Sequence, residues 1–220
     1  LNTSMEVNPK SDALEDDYMV FIYSQENGKL VYKNTYAEIK AVSEITLKAG
    51  KYTLEARNHE DIPLAEFEHP IYGDSKDFTI AANQTSRIGA LTCTLLQCAI
   101  SIRYNNGFLL SVTGNGVTTV EVKSGAPLDY PIIYNENTGV SFDERIGYFS
   151  LDKDETSTMI VIYKGYIDGK MQKMTTILSG VKAKDYHVIT LVKTIPESGN
   201  ASFGINIDGL IFDSVLDDNV

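Results

Sequence analysis

Tryptophan is missing from this 220-residue chain, cysteine occurs twice and histidine three times. Two cysteines cannot build the disulfide framework of a small secreted scaffold, and without a histidine beside them they complete no zinc site. Cys93 and Cys98 stand an odd number of residues apart, which in an extended strand puts them on opposite faces about 16 Å from each other. They read as two small buried thiols. His59, His69 and His187 are widely spaced and share no ligand constellation. Basic residues are in deficit: 19 Lys and Arg against 30 Asp and Glu leave a net charge of −11. The cations are scattered, so no basic stripe exists for DNA or RNA, and the acidity disfavours anionic membranes too. No apolar run approaches the ~20 residues that a spanning helix needs.

Catalytic signatures are missing as well. There is no G-x-S-x-G elbow, no P-loop, no H-E-x-x-H and no dinucleotide fingerprint. Gly114-Asn115-Gly116 is a lone G-x-G and reads as a turn. Asp152, Asp154 and Glu155 could offer oxygens to calcium, but without the spacing or glycine of an EF-hand they read as a solvated turn. Nothing singles out a carboxylate pair for glycoside hydrolysis. The expectation is a non-enzyme with no cofactor and no metal.

What is abundant points to strands: thirteen Tyr and eight Phe, with many Val, Ile and Thr. Tyr52, Leu54 and Ala56 alternate with Lys51, Thr53, Glu55 and Arg57. Ile100, Ile102 and Tyr104 alternate with Ser101 and Arg103, and Phe203, Ile205 and Ile207 with polar neighbours. Each pattern is that of a half-buried strand. Met19–Tyr23 and Met159–Tyr163 are nearly continuous apolar runs, expected of strands covered on both faces. Asn27-Gly28, Asn106-Gly107 and Asp168-Gly169 suit the two φ > 0 positions of a type I′ turn and predict hairpins. Only 35–42 shows a helical period, through Tyr36, Ile39 and Val42.

Strands with turns every 8–12 residues or so suggest sandwiches. Core parity shifts between Leu91/Cys93/Leu95 and Cys98/Ile100/Ile102, which places a domain seam near 95–99. The predicted organisation is a flexible tether over 1–17, one β-sandwich over 18–95 and a second over 96–220. Tyr134, Tyr163 and Tyr166 lie near strand or hairpin ends and are the candidates for recognition, since tyrosine brings large contact area at low entropic cost.

The run Leu47-Lys-Ala-Gly50-Lys-Tyr52-Thr-Leu54-Glu-Ala56 resembles the L-x-x-G-x-Y-T-L-E-A signature of an uncharacterised domain family of Bacteroidetes lipoproteins related to the fimbrillins, the pilin and adhesin group. Pro70, Tyr72 and Gly73 continue it, then Phe78 and Ile80, then Cys93 and Leu95; Gly147-Tyr148-Phe149 resembles a further element. These are scaffold residues: Gly50 turns the chain into a strand, while Tyr52, Leu54 and Ala56 fill one face. The resemblance implies an all-β chain of two tandem transthyretin-like, Greek-key sandwiches. It further implies export, display on the outer membrane through a lipid anchor on a cysteine absent from this chain, and assembly by strand exchange. Partners would be other pilus or surface subunits, or a host protein or glycan. Asp213-Ser214-Val215 resembles the O-glycosylation tripeptide of that phylum.

Overall fold

The computed structural model describes residues 15–42, 44–122, 125–151, 155–195 and 201–211. Most of the predicted tether, Asp152, Asp154 and Asp213-Ser214-Val215 lie outside them. The fold is all-β, and the chain divides into two compact units. Among the described residues, the first holds those up to Ile62 together with Ile71–Leu95. The second holds Pro63–Pro70 and the residues from Leu96 onward.

The first unit begins with a hairpin of β1 (Met19–Ser24) and β2 (Leu30–Thr35). Asn27-Gly28 makes its turn, with Gly28 at φ 68° and its N–H donating to Ser24 O at 2.8 Å. The single-turn helix α1 (Tyr36–Lys40) starts there because Thr35 and Glu38 form a reciprocal capping box. Helix α1 also buries Ile39. Next comes β3 (Gly50–Arg57). The chain then leaves for the second unit through β4 (Ala65–Phe67), and β5 (Tyr72–Ile80) and β6 (Thr94–Leu95) complete an antiparallel sheet ordered β2-β1-β3-β5-β6. Its apolar face carries Val20, Ile22, Leu54 and Ala56, which cluster with Ile39, Ile45, Ile88, Leu91 and Cys93. Among the described residues, then, the layer over this sheet is α1 and irregular chain, where strand alternation alone suggests a second ladder.

The second unit is a sandwich of two five-stranded sheets. One is ordered β10-β9-β8-β12-β13, the other β15-β14-β7-β11-β4. Its strands are β7 (Gln97–Tyr104), β8 (Val112–Glu121), β9 (Leu128–Asn135), β10 (Gly139–Phe142), β11 (Gly147–Ser150), β12 (Ser157–Ile167), β13 (Lys170–Val181), β14 (Asp185–Thr194) and β15 (Ser202–Ile211). The two inner faces meet in one core that includes Ile100, Ile102, Ile189 and Leu191 from one sheet and Val120, Tyr130, Ile132, Val161 and Tyr163 from the other. Two buried hydroxyl contacts lie inside it: Tyr130 donates to Ile100 O at 3.1 Å, and the Tyr104 and Thr118 hydroxyls stand 2.9 Å apart, whereas the buried Tyr163 hydroxyl has no hydrogen-bond partner among the described residues.

Three local expectations are settled here. Asp168-Gly169 closes the β12–β13 hairpin with φ of 49° and 74°, the positive pair that a type I′ turn requires. Asn106-Gly107 makes no hairpin. It opens the short helix α2 (Asn106–Leu109), because Asn105 caps Phe108 N at 2.8 Å and Phe108 is buried beneath. Gly114-Asn115-Gly116 is no turn either; it lies within β8.

Candidate functional site

Buried chemistry offers little. Cys93 and Cys98 are free and buried, and burial pushes both thiols up to about 12, with Asp74 and Asp185 adding to the respective shifts. A thiol held protonated is a poor nucleophile. His187 is buried in β14, where desolvation holds its imidazole below the usual range against the opposing pull of Asp185, 3.7 Å from Nε2. No group of three or more His, Cys, Asp or Glu able to hold a metal occurs among the described residues.

The motif residues concentrate in the first unit. Tyr52, Leu54, Ala56, Ile80 and Cys93 share its apolar cluster, with Leu47, Tyr72 and Phe78 packed against it. Gly50 pairs with Ile80, Tyr52 with Phe78, and Tyr72 with Leu95 across the ladders, while Gly73 faces both Arg57 and Thr94. The Tyr52 hydroxyl donates to Lys48 O at 2.8 Å, and its ring stacks on Phe78 at 5.5 Å. Pro70 closes the excursion that carries β4 into the second unit.

The three candidate tyrosines separate. Tyr163 is fully buried, because it shares the inward parity of Met159 and Val161. Tyr134 is half-buried against the same core. Tyr166 is 44% exposed, on the opposite parity. That parity also corrects the reading of Met159–Tyr163 as covered on both faces: Ile160 and Ile162 face outward and are only half-buried. Across the ladder Ile160 meets Ile177, and Tyr166 meets Met171; Ile177 and Met171 are 62% and 60% exposed. The outer face of the β12–β13 hairpin is therefore an open surface with large apolar side chains.

A bulge builds the tyrosine into this face. In register, Gly165 pairs with Gly116 but Ile167 pairs with Val112, so Thr113, Gly114 and Asn115 of β8 face Tyr166 alone. Each has a use. Thr113 Oγ1 accepts from Gly169 N and Asn115 Oδ1 from Tyr134 N, both at 2.8 Å, tying the bulge to the hairpin and to β9. Gly114 lies beneath Tyr166: a Cβ there would meet the tyrosine's Cβ and Cδ2 at 3.1 Å. Any larger residue at 114 would push the tyrosine off the strand by a few tenths of an ångström. Sequence reasoning missed this pairing because the two partners are joined only by the fold.

The sheets also end in strands with no further neighbour among the described residues: β2, where Leu30 and Val31 are 47% and 45% exposed, and the long edge strands β13 and β15. No helix among the described residues is long and apolar enough to cross a membrane.

Among curated proteins none matches this chain. Solved structures match at low identity. A "putative adhesin" from Bacteroides ovatus aligns with a TM-score of 0.47 and 10% identity over 90% of this chain and 89% of that one. A fimbrial assembly protein from Parabacteroides distasonis aligns with a TM-score of 0.42 and 14% identity over 94% and 98%. A third, from Bacteroides thetaiotaomicron and described among "putative polysaccharide binding proteins", gives 0.46 and 10% over 90% and 91%. The family model for a domain of unknown function, DUF4493, matches residues 1–217, and the chain belongs to that family.

Proposed function

We propose that this chain is a cell-surface adhesin or fimbria-associated subunit that works by binding a protein or host surface. The observation that carries the reading is the open outer face of β12–β13, where Tyr166, Met171 and Ile177 stand exposed on a rigid sheet. Exposed aromatic and large apolar side chains on such a support are the anchors of recognition surfaces. Strand addition at β2, β13 or β15 is its route of assembly, since an edge strand offers a row of backbone donors and acceptors. In this reading the chain is exported, is held at the outer membrane by a lipid anchor, has no catalytic role, and carries two tandem transthyretin-like domains that meet near 95–96, the first lending 63–70 to the second. The twelve motif residues from Leu47 to Leu95 are scaffold for the first of these.

The test is adhesion of protein-coated beads to host epithelial cells and mucin, with Met171→Glu/Ile177→Glu as the comparison. A drop of at least tenfold is expected, and equal adhesion would count against the face. Light scattering checks the assembly step: a strict monomer at all concentrations, with each open edge tested by a matching strand peptide, removes it. A second reading, glycan binding by a surface lipoprotein without polymerisation, is favoured by one observation, the seating of Tyr166 on Gly114.

A further inference from the structure

Beside Tyr166 the same face carries two lysines directly opposite one another: Lys164 of β12 pairs with Lys173 of β13, and both are exposed. Like charges placed opposite on one face oppose the sheet they sit in. This protein has 30 acidic residues with which to neutralise 19 basic ones. Among the described residues neither lysine has a carboxylate partner, a state they share with most of the described cations. The row next to the lysines runs across the sheet from Ile133 on β9 through Asn115 to Tyr166 and Met171. Three strand spacings make such a row about 14 Å long. On the far side of the lysine pair stand Ile162 and Thr175, the latter exposed.

We infer that this strip binds an acidic polysaccharide. It deepens, and rests on, the glycan-binding reading above. A sugar ring has apolar C–H faces that pack on tyrosine and methionine, and hydroxyls that hydrogen-bond Asn115 and Thr175. A carboxylate or sulfate on the chain bridges the two ammonium groups, which relieves their repulsion. The charge pattern selects this class over others. Duplex DNA carries a charge every ~1.7 Å and needs a long basic track, which two lysines do not provide. A polymer that carries its charges on sugar rings with apolar faces matches two cations set beside an apolar row, which a bare polyanion does not. The bulge that seats Tyr166 supplies the preorganisation, since its three residues are each committed to holding the face.

The test is titration of the full chain with polygalacturonate, dextran sulfate, neutral dextran and polyglutamate at low and at moderate salt. Binding to one or both acidic polysaccharides is expected, weakening as salt rises, and the two polymers separate carboxylate from sulfate recognition. Lys164→Gln/Lys173→Gln should weaken it at least tenfold and Tyr166→Ala at least threefold, with Cys98 staying unreactive to thiol reagent as proof of folding. Equal binding to dextran or to polyglutamate, no effect of the lysine pair, or no binding to either acidic polymer would overturn the inference. Neutral dextran tells the levels apart. If dextran binds as well as the acidic polymers and Tyr166→Ala weakens both, the acidic-glycan inference alone fails; if no polysaccharide binds, the glycan-binding reading fails with it.

Discussion

Replacing Gly147 by alanine is expected to destabilise the second unit sharply. Gly147 lies in β11 opposite Ile100, and a Cβ there would stand 2.3 Å from Tyr130 Oη and 2.7 Å from Leu128 Cδ1. Tyr130 is fully buried, donates to Ile100 O at 3.1 Å and meets the Phe67 ring edge-on at 4.9 Å. To admit the methyl group its ring must swing and its hydroxyl must leave that carbonyl. Overpacking a core costs about 1–3 kcal/mol, and stranding a buried polar pair about 1–3 more, so the loss is roughly 2–6 kcal/mol. Tyr130→Phe by itself should cost about 1 kcal/mol. In that background Gly147→Ala should cost at least about 1 kcal/mol less than in wild type, because the nearest clash is gone and what remains is the half-buried Leu128 and the looser approach to Phe149 Cε2 at 3.3 Å. Cys98 is the reporter, a fully buried thiol on β7 opposite Phe149 of β11. In a Cys93→Ala background its labelling rate against urea reads the opening of the second unit alone. Costs that add to within about 0.3 kcal/mol would refute the claim that Gly147 and Tyr130 meet.

Burial raises the Cys98 thiol from 9.0 to about 12, so the folded chain keeps a proton that the unfolded chain releases. The stability this contributes is complete below the unfolded value and declines as pH rises toward the folded one, by about 1.4 kcal/mol per unit. Urea midpoints followed by circular dichroism should fall between pH 8 and 10.5, and less so in Cys98→Ala. His187 behaves in the opposite sense: burial lowers its value from 6.5, so the unfolded chain takes up the proton first and stability is lost as pH falls below that point. His187→Leu should lose less between pH 7.5 and 5.5 than wild type, and an equal loss would show that other groups carry the acid sensitivity. Asn105→Ala removes the cap on Phe108 N together with bonds to Lys193 N and O at 3.1 and 3.2 Å, and should cost about 2 kcal/mol by the Cys98 assay. Gly169→Ala, at φ 74°, should cost about 1 kcal/mol by the same measurement.

Local patterns were legible where one physical rule acts alone. Alternation located β3, β7 and β15, and the Asp168-Gly169 dipeptide located its hairpin, because side-chain period and positive φ are properties of a few adjacent residues. They failed where two rules compete. Asn106-Gly107 satisfies a type I′ turn, but Asn105 just before it is a helix cap and Phe108 just after it is a core residue, so a helical turn satisfies more groups. In Ile160–Tyr163 every residue is apolar, so composition cannot say which parity points inward. Tyr163 therefore looked like a surface candidate until the opposing sheet placed it inside.

By itself, then, the sequence determined an all-β chain, its main strands, two inert thiols and membership of the DUF4493 family, since those depend on residue type and short-range order. Tertiary structure decided the rest. It sent β4 out of the first half to pair with β11, laid Tyr166 on Gly114 from a different strand, and set Lys164 against Lys173. A binding face is a set of neighbours across a sheet, and neighbours across a sheet are chosen by register and parity, which depend on what the other face buries.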